Sequence, residues 1–331
     1  MSDAPAPLHV LLATPRGTCA GVDRAIQTVE EALRRYGPPV YVRHAVVHNR
    51  HVVADLAARG AVFVEELDAV PDDRPVVFSA HGVPRAVAAA AAARRLLVVD
   101  AVCPLVARVH RAVLAHHQAG RHVVVIGHAG HQEIVGTLGQ LPPGAAQRVG
   151  SLAEVDALTP PPGQPLAYVT QTTLAVEDAA ALVARLRTRF PGIAVPATED
   201  ICYATTNRQA AVRALAPRCD LVLVLGSAES SNANRLVEVA RGAGCPRALL
   251  RDSLADVDGT LLTGVRTLGL TAGASTPEAL VVEALAQLRR RYRLTVEPVR
   301  VAEEAVAFRL PAFPGDRPGS DQSPTAPPAA S

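Results

Sequence analysis

This chain of 331 residues has no lysine and no tryptophan, and a single methionine. Its 33 basic residues are therefore all arginine; they nearly balance 31 acids, and the longest basic block is Arg289-Arg290-Arg291. Such a balance leaves no electrostatic footprint for nucleic acid. No apolar run approaches the roughly 20 residues a membrane helix needs, and the opening Met1-Ser2-Asp3-Ala4-Pro5 places no charged segment before an apolar one. A globular, cytosolic protein without membrane segments is expected. Cysteine is scarce as well: five in a long chain, an odd number, argues against a disulfide framework and leaves metal binding or redox chemistry open. Local zinc-ribbon spacing is missing, as are a Walker loop and a Gly-X-Gly-X-X-Gly fingerprint, so ATP and NAD are poor candidates.

What is present is an alternation. Short runs of Val, Leu and Ile are separated by Ala- and Arg-rich amphipathic stretches from His9 to about Val296, the pattern of an α/β protein. Strands are predicted at 9–13, 40–46, 76–79, 96–99, 122–126, 166–170, 221–225 and 267–271. Near-continuous apolar strands between helices imply parallel sheets covered on both faces, with ligands beyond the strands' carboxyl ends.

Three cysteines, Cys19, Cys103 and Cys202, each stand where an apolar run gives way to a helix. The repetition points to one shared ligand, and a helix N-terminus is expected to lower thiol pKa toward the thiolate that metals bind. The competing reading is three buried structural thiols. Cys219 and Cys245 precede strands instead and are left out. If each of the three cysteines belongs to its own unit, the lobes run 8–102, 103–200 and 201–298, with strand 9–13 free to pair with the third. A three-lobed molecule with a central site follows, and the Pro-rich tail 314–331 is expected to be disordered.

Polar groups gather after the same strands: His48, His81, His128, His131 and Glu133, then Thr170 to Leu174, Ser230-Ser231-Asn232 and Ser275. Each alone reads as a loop or cap residue; Ser275 or Thr276 before Pro277 is first a helix N-cap. Three consecutive donors at 230–232 exceed what one cap requires and suit an anion. Glu133 is the single carboxylate expected to be buried. Together these residues call for a metal centre plus an oxyanion such as phosphate or diphosphate. Three thiolates could hold zinc with a histidine, or three corners of a 4Fe-4S cluster, and spacing does not choose between them.

Nine segments, among them Pro15 to Ala25, Val46 to Arg50, Phe78 to Val83, Cys103 to Val106, Gly127 to Glu133, Thr170 to Leu174 and Asp200 to Gln209, resemble in order those of the 4-hydroxy-3-methylbut-2-enyl diphosphate reductase family. The resemblance covers about residues 9–290. It implies three similar α/β lobes around an iron–sulfur site of pseudo-threefold character. Cys19, Cys103 and Cys202 would hold one 4Fe-4S cluster with an open iron for the substrate hydroxyl. His48, His81 and His131 with Ser230, Ser231, Asn232 and Ser275 would hold the diphosphate, and Glu133, supported by Thr172, would deliver protons. It further implies a ferredoxin or flavodoxin donor and a monomer. Thr18 and Val102 depart from the phenylalanine and threonine usual at those places. A zinc hydrolase using Glu133 as base and a non-catalytic diphosphate-binding or redox-sensing protein are the other readings.

Overall fold

The computed structural model describes residues 5–257 and 259–315; of the 314–331 tail, all but Pro314 and Gly315 lies outside them. The chain opens with β1 (Pro7–Thr14) and α1 (Ala20–Tyr36). A four-stranded sheet follows, made of β2 (Val40–Arg43), β3 (Ala61–Val64), β4 (Pro75–Phe78) and β5 (Leu97–Asp100) in the order β3-β2-β4-β5. Its crossovers carry α2 (Arg50–Ala58) and α3 (Arg85–Ala93). After α4 (Pro104–Gln118) comes a three-stranded sheet, β7-β6-β8, built from β6 (His122–Ile126), β7 (Ala146–Val149) and β8 (Leu166–Thr170). Helices α5 (Gln132–Leu138), α6 (Leu152–Ala157) and α7 (Val176–Arg189) accompany it.

The last sheet has five strands in the order β10-β9-β11-β1-β12. It is reached through α8 (Tyr203–Leu215) and formed by β9 (Leu221–Leu225), β10 (Ala248–Arg251), β11 (Thr267–Ala272) and β12 (Arg293–Arg300), with β1 inserted between β11 and β12. Helices α9 (Ser231–Gly242) and α10 (Glu278–Arg291) complete the chain's α/β alternation. Every strand pair in the three sheets is parallel.

Burial explains the apolar runs. In β9 all five residues are buried, and the two-residue period sends Leu221, Leu223 and Leu225 to one core while Val222 and Val224 enter the other. β1 divides likewise: Leu8, Val10 and Leu12 to the first, Leu11 and Ala13 to the second. A strand covered by helices on both faces has no polar side to show, which is why the run reads as continuous rather than alternating.

Two expectations change. The strand predicted over 40–46 stops at Arg43, because His44 takes a left-handed turn at φ 58 and starts the irregular segment that carries His48. Neither Ser275 nor Thr276 caps α10. Thr276 Oγ1 donates to Leu225 O and Ser275 Oγ to His48 O, while Pro277 stands at the cap position. Beyond β12 the chain runs on without regular structure over 301–313 and returns to the first lobe, where Phe313 is buried in its core.

Candidate functional site

Five helices begin at one central cavity of about 100 Å³: α1 behind Cys19, α4 behind Cys103, α5 behind His131, α8 behind Cys202 and α9 behind Ser230. Their positive dipole ends therefore converge on the same space. All twelve predicted site residues line it: Cys19, Cys103, Cys202, His48, His81, His131, Glu133, Thr172, Ser230, Ser231, Asn232 and Ser275. Cys219 and Cys245 do not; they lie in the core of the five-stranded sheet, with Cys245 fully buried.

The three cysteines are the N-cap residues of their helices, yet none uses its side chain as a cap. Their sulfurs face inward instead. A Cβ added at Gly21 would fall 2.6 Å from Cys103 Sγ and 3.9 Å from Cys19 Sγ, so the absence of a side chain there is what leaves the sulfurs their room. The expectation of lowered thiol pKa values is wrong in sign. Burial pushes Cys103 up to about 12 and Cys202 up to about 11, and Cys19 is also raised. Helix N–H groups, and for Cys19 the charge of Arg208, pull the other way without prevailing. Each negative charge would oppose the others, so three thiolates here need a cationic partner between them. Among the described residues no group of three His, Cys, Asp or Glu side chains is arranged to hold a single metal ion.

The histidines form their own cluster. His48 stacks on His81 with ring centroids 4.1 Å apart, and His131 meets them edge-on at 5.6 and 5.9 Å. Burial lowers the pKa of all three, His131 to about 4, so at neutral pH they are uncharged. His131 Nδ1 accepts from the Glu133 N–H at 3.2 Å, which puts its proton on Nε2. At the head of α9, Ser230 Oγ accepts from Ala233 N, and Asn232 Oδ1 accepts from Ala274 N at 2.9 Å. Asn232 Nδ2 is buried without a hydrogen-bond partner among the described residues. An orphaned donor at a helix N-terminus fits an anionic ligand.

Glu133 is 2% exposed, and both carboxyl oxygens rest on one residue: Oε1 accepts from Thr172 N at 2.7 Å and Oε2 from Thr172 Oγ1 at 2.8 Å. Burial raises its pKa to about 7 against those hydrogen bonds, and the charge of Asp200 adds to the rise. Asp200 corrects the expectation of a single buried carboxylate. It is 5% exposed, accepts from Thr170 N at 2.9 Å, and is itself pushed up to about 6 by burial.

Gln171 and the cavity-lining Thr173, both in a recognised segment, also escaped prediction. Gln171 Oε1 accepts from His128 N, while its Nε2 donates to Thr173 Oγ1 and Ser231 Oγ. It thereby ties the end of β8 to the start of α9. The segment Thr170 to Leu174 pointed here, but its pattern could not say which residue faces inward. The two departures from the usual residues act through the backbone: Thr18 O accepts from Arg208 and Val102 O from Arg24.

Residues 10–289 match the LytB protein family. The chain is 59% identical over 305 residues to the 4-hydroxy-3-methylbut-2-enyl diphosphate reductase of Phenylobacterium zucineum, covering 92% of this chain and 97% of that one. It is 58% identical over 308 residues to the reductase of the same name from Gluconobacter oxydans, covering 92% of each. Among solved structures, the E-1-hydroxy-2-methyl-but-2-enyl-4-diphosphate reductase of Plasmodium falciparum superposes with a TM-score of 0.88 at 38% identity, covering 93% of this chain and 96% of that one. An identity of this order, held over nearly the whole of both chains, shows that this chain is a member of the LytB family, the family of 4-hydroxy-3-methylbut-2-enyl diphosphate reductases.

Proposed function

We propose that this chain reduces (E)-4-hydroxy-3-methylbut-2-enyl diphosphate at C4, giving isopentenyl and dimethylallyl diphosphates as the last step of the non-mevalonate isoprenoid pathway. One observation carries the reading: a single cavity is lined by three thiols, three imidazoles, a buried carboxylic acid and the donors of an anion cradle. The lobe divisions at 102/103 and 200/201 belong to the same proposal. They are supported by the strands of each sheet falling on one side of them, β1 excepted.

The residues fit a 4Fe-4S cluster: the three thiols line one cavity, Cys19 and Cys103 border the room that Gly21 leaves, and as thiolates the three would need a cationic partner between them. Held by Cys19, Cys103 and Cys202, such a cluster supplies electrons and a Lewis acid for the departing hydroxyl. The diphosphate is held by Ser230, Ser231 and Asn232 at the head of α9, with Ser275 and the uncharged donors of His48, His81 and His131. Loss of the hydroxyl as water takes one proton and the allylic carbon takes another, so each turnover consumes two electrons and two protons. Glu133 carries those protons. Its pKa of about 7 leaves a large protonated fraction at neutral pH, and Thr172 Oγ1, able to donate or accept, keeps the carboxyl aimed in either state. Ferredoxin or flavodoxin as donor, a monomeric state and a cytosolic location complete the proposal.

Anaerobically purified protein is expected to be brown, to carry about four irons per chain, and to change its low-temperature magnetic-resonance spectrum when the diphosphate substrate is added. Colourless protein with one tightly held zinc would overturn the reading in favour of a hydrolase. Cys219→Ser and Cys245→Ser are expected to leave iron content at the wild-type level, since both thiols pack in the sheet core away from the cavity; iron lost from either variant would refute the ligand assignment.

A further inference from the structure

Two buried arginines stand beside the cavity without lining it, and between them they touch the backbone within two residues of each of the three cysteines. Arg208, in α8, is fully buried. Its Nε donates to Gly17 O at 3.0 Å and Nη2 to Thr18 O at 3.2 Å, the two carbonyls that precede Cys19. Nη1 donates to Ala204 O at 2.9 Å, two residues past Cys202. One planar guanidinium thus joins the Cys19 loop to the Cys202 helix. Arg24, in the helix that Cys19 opens, donates from Nη1 to Val102 O at 2.9 Å, the carbonyl before Cys103. It joins the Cys19 helix to the Cys103 loop.

Both arginines are also gripped by the irregular segment 301–313. Glu304 accepts from Arg208 Nη1 at 3.0 and 3.2 Å and from Asn207 Nδ2 at 3.1 Å. Arg309 O accepts from Arg24 Nε at 2.7 Å. Beyond them Phe313 is 4% exposed in the first lobe's core, with Arg35 over its ring at 4.3 Å, and Pro314 O accepts from Tyr36. The segment therefore runs as a strap from the five-stranded sheet to the first lobe, touching each arginine on the way.

We propose that Arg24 and Arg208 are positioning residues that hold the three thiols as one set, and that the 301–313 strap, through Glu304 and the Arg309 carbonyl, keeps both arginines in that role. The inference rests on the reading of Cys19, Cys103 and Cys202 as ligands of one metal core. A buried cation beside a cluster and its thiolates stabilises the more reduced state, which carries one more negative charge, and Glu304 offsets part of that effect. A hydrogen-bond fork that ties a loop to a helix also resists their parting, which an ammonium could not do with the same geometry.

The test uses the full chain, loaded anaerobically, with two readouts apart from turnover: the midpoint potential of the iron–sulfur signal and the rate of iron loss to a chelator. Glu304→Gln, which keeps the shape and removes the charge, is expected to raise the potential and to release iron about tenfold faster. Arg24→Gln is expected to lower the potential, and Phe313→Ala, outside the cavity lining, to speed iron loss by detaching the strap. Glu297→Gln, at the exposed partner of Arg218, is the control and should match wild type. Should Arg24→Gln fail to fold, Glu304→Gln and Phe313→Ala decide without it. Potentials and release rates equal to wild type in iron-loaded Glu304→Gln and Phe313→Ala would overturn the proposal while leaving the ligand reading intact. A wild-type chain that takes up no iron would overturn both.

Discussion

Glu133→Gln is expected to lower turnover about 10²- to 10⁴-fold, the usual contribution of a positioned acid, while leaving iron content and diphosphate binding near wild type. The separation follows from the hydrogen bonds. A glutamine can set its carbonyl oxygen against Thr172 N and donate its amide to Thr172 Oγ1, reproducing both contacts of the carboxyl, so only the transferable proton is lost. Turnover of the wild type should fall as pH rises through about 7, the pKa of the protonated acid, and the residual rate of the variant should lack that limb. Stability gives an independent check with a definite sign. The native pKa lies above the ordinary 4.5, so between pH 4.5 and about 7 the folded chain binds more protons than the unfolded one and loses stability as pH rises. The glutamine variant escapes that loss and should gain on the wild type by roughly 3 kcal/mol across this window. Denaturant unfolding of the cluster-free chains at pH 5 and pH 8 measures it. Near-wild-type turnover in Glu133→Gln would place the acid elsewhere.

How far the sequence reached depends on depth in the structure. The α/β alternation, the parallel sheets and the central strands were legible because strands such as β6 and β9 are buried at every position and leave unbroken apolar runs. The three strands with no sequence signal, β3, β7 and β12, are all edge strands. With a neighbour on one side only, an edge can be partly polar, as in Ala146-Gln147-Arg148-Val149 or in the alternately exposed β12. Legible too were the residues of the cavity, because side chains that gather at strand ends and helix starts announce themselves by type. Their electrostatics were not. The helix-start argument favoured low thiol pKa values, and burial, which a sequence does not display, reversed the sign. Arg24 and Arg208 were equally hidden: in a chain whose basic residues are all arginine, nothing in the sequence marks the few that are buried. Glu304 lies in a segment with no period at all, and only the fold brings it to Arg208.

Gly21→Ala is expected to abolish stable iron binding while leaving the folded chain intact, an effect out of proportion to one methyl group. Gly21 sits in the first turn of α1, and its added Cβ would lie 2.6 Å from Cys103 Sγ, well inside van der Waals contact. Without metal the remedy is simple: Cys103 turns about its Cα–Cβ bond and the sulfur moves away. The alanine then favours the helix by up to about 1 kcal/mol, so the melting temperature of the metal-free variant should equal or exceed that of wild type. A ligand has no such freedom. If Cys103 must direct its sulfur at the core that Cys19 and Cys202 also hold, the rotation that relieves the clash breaks the set, and a rigid core cannot follow one displaced corner. Iron per chain after anaerobic reconstitution, read beside thermal unfolding of the metal-free protein, separates the two states. A variant that is stable and iron-poor supports convergence of the three sulfurs on one core; a variant that is stable and fully loaded would show that Cys103 does not point where the ligand reading needs it.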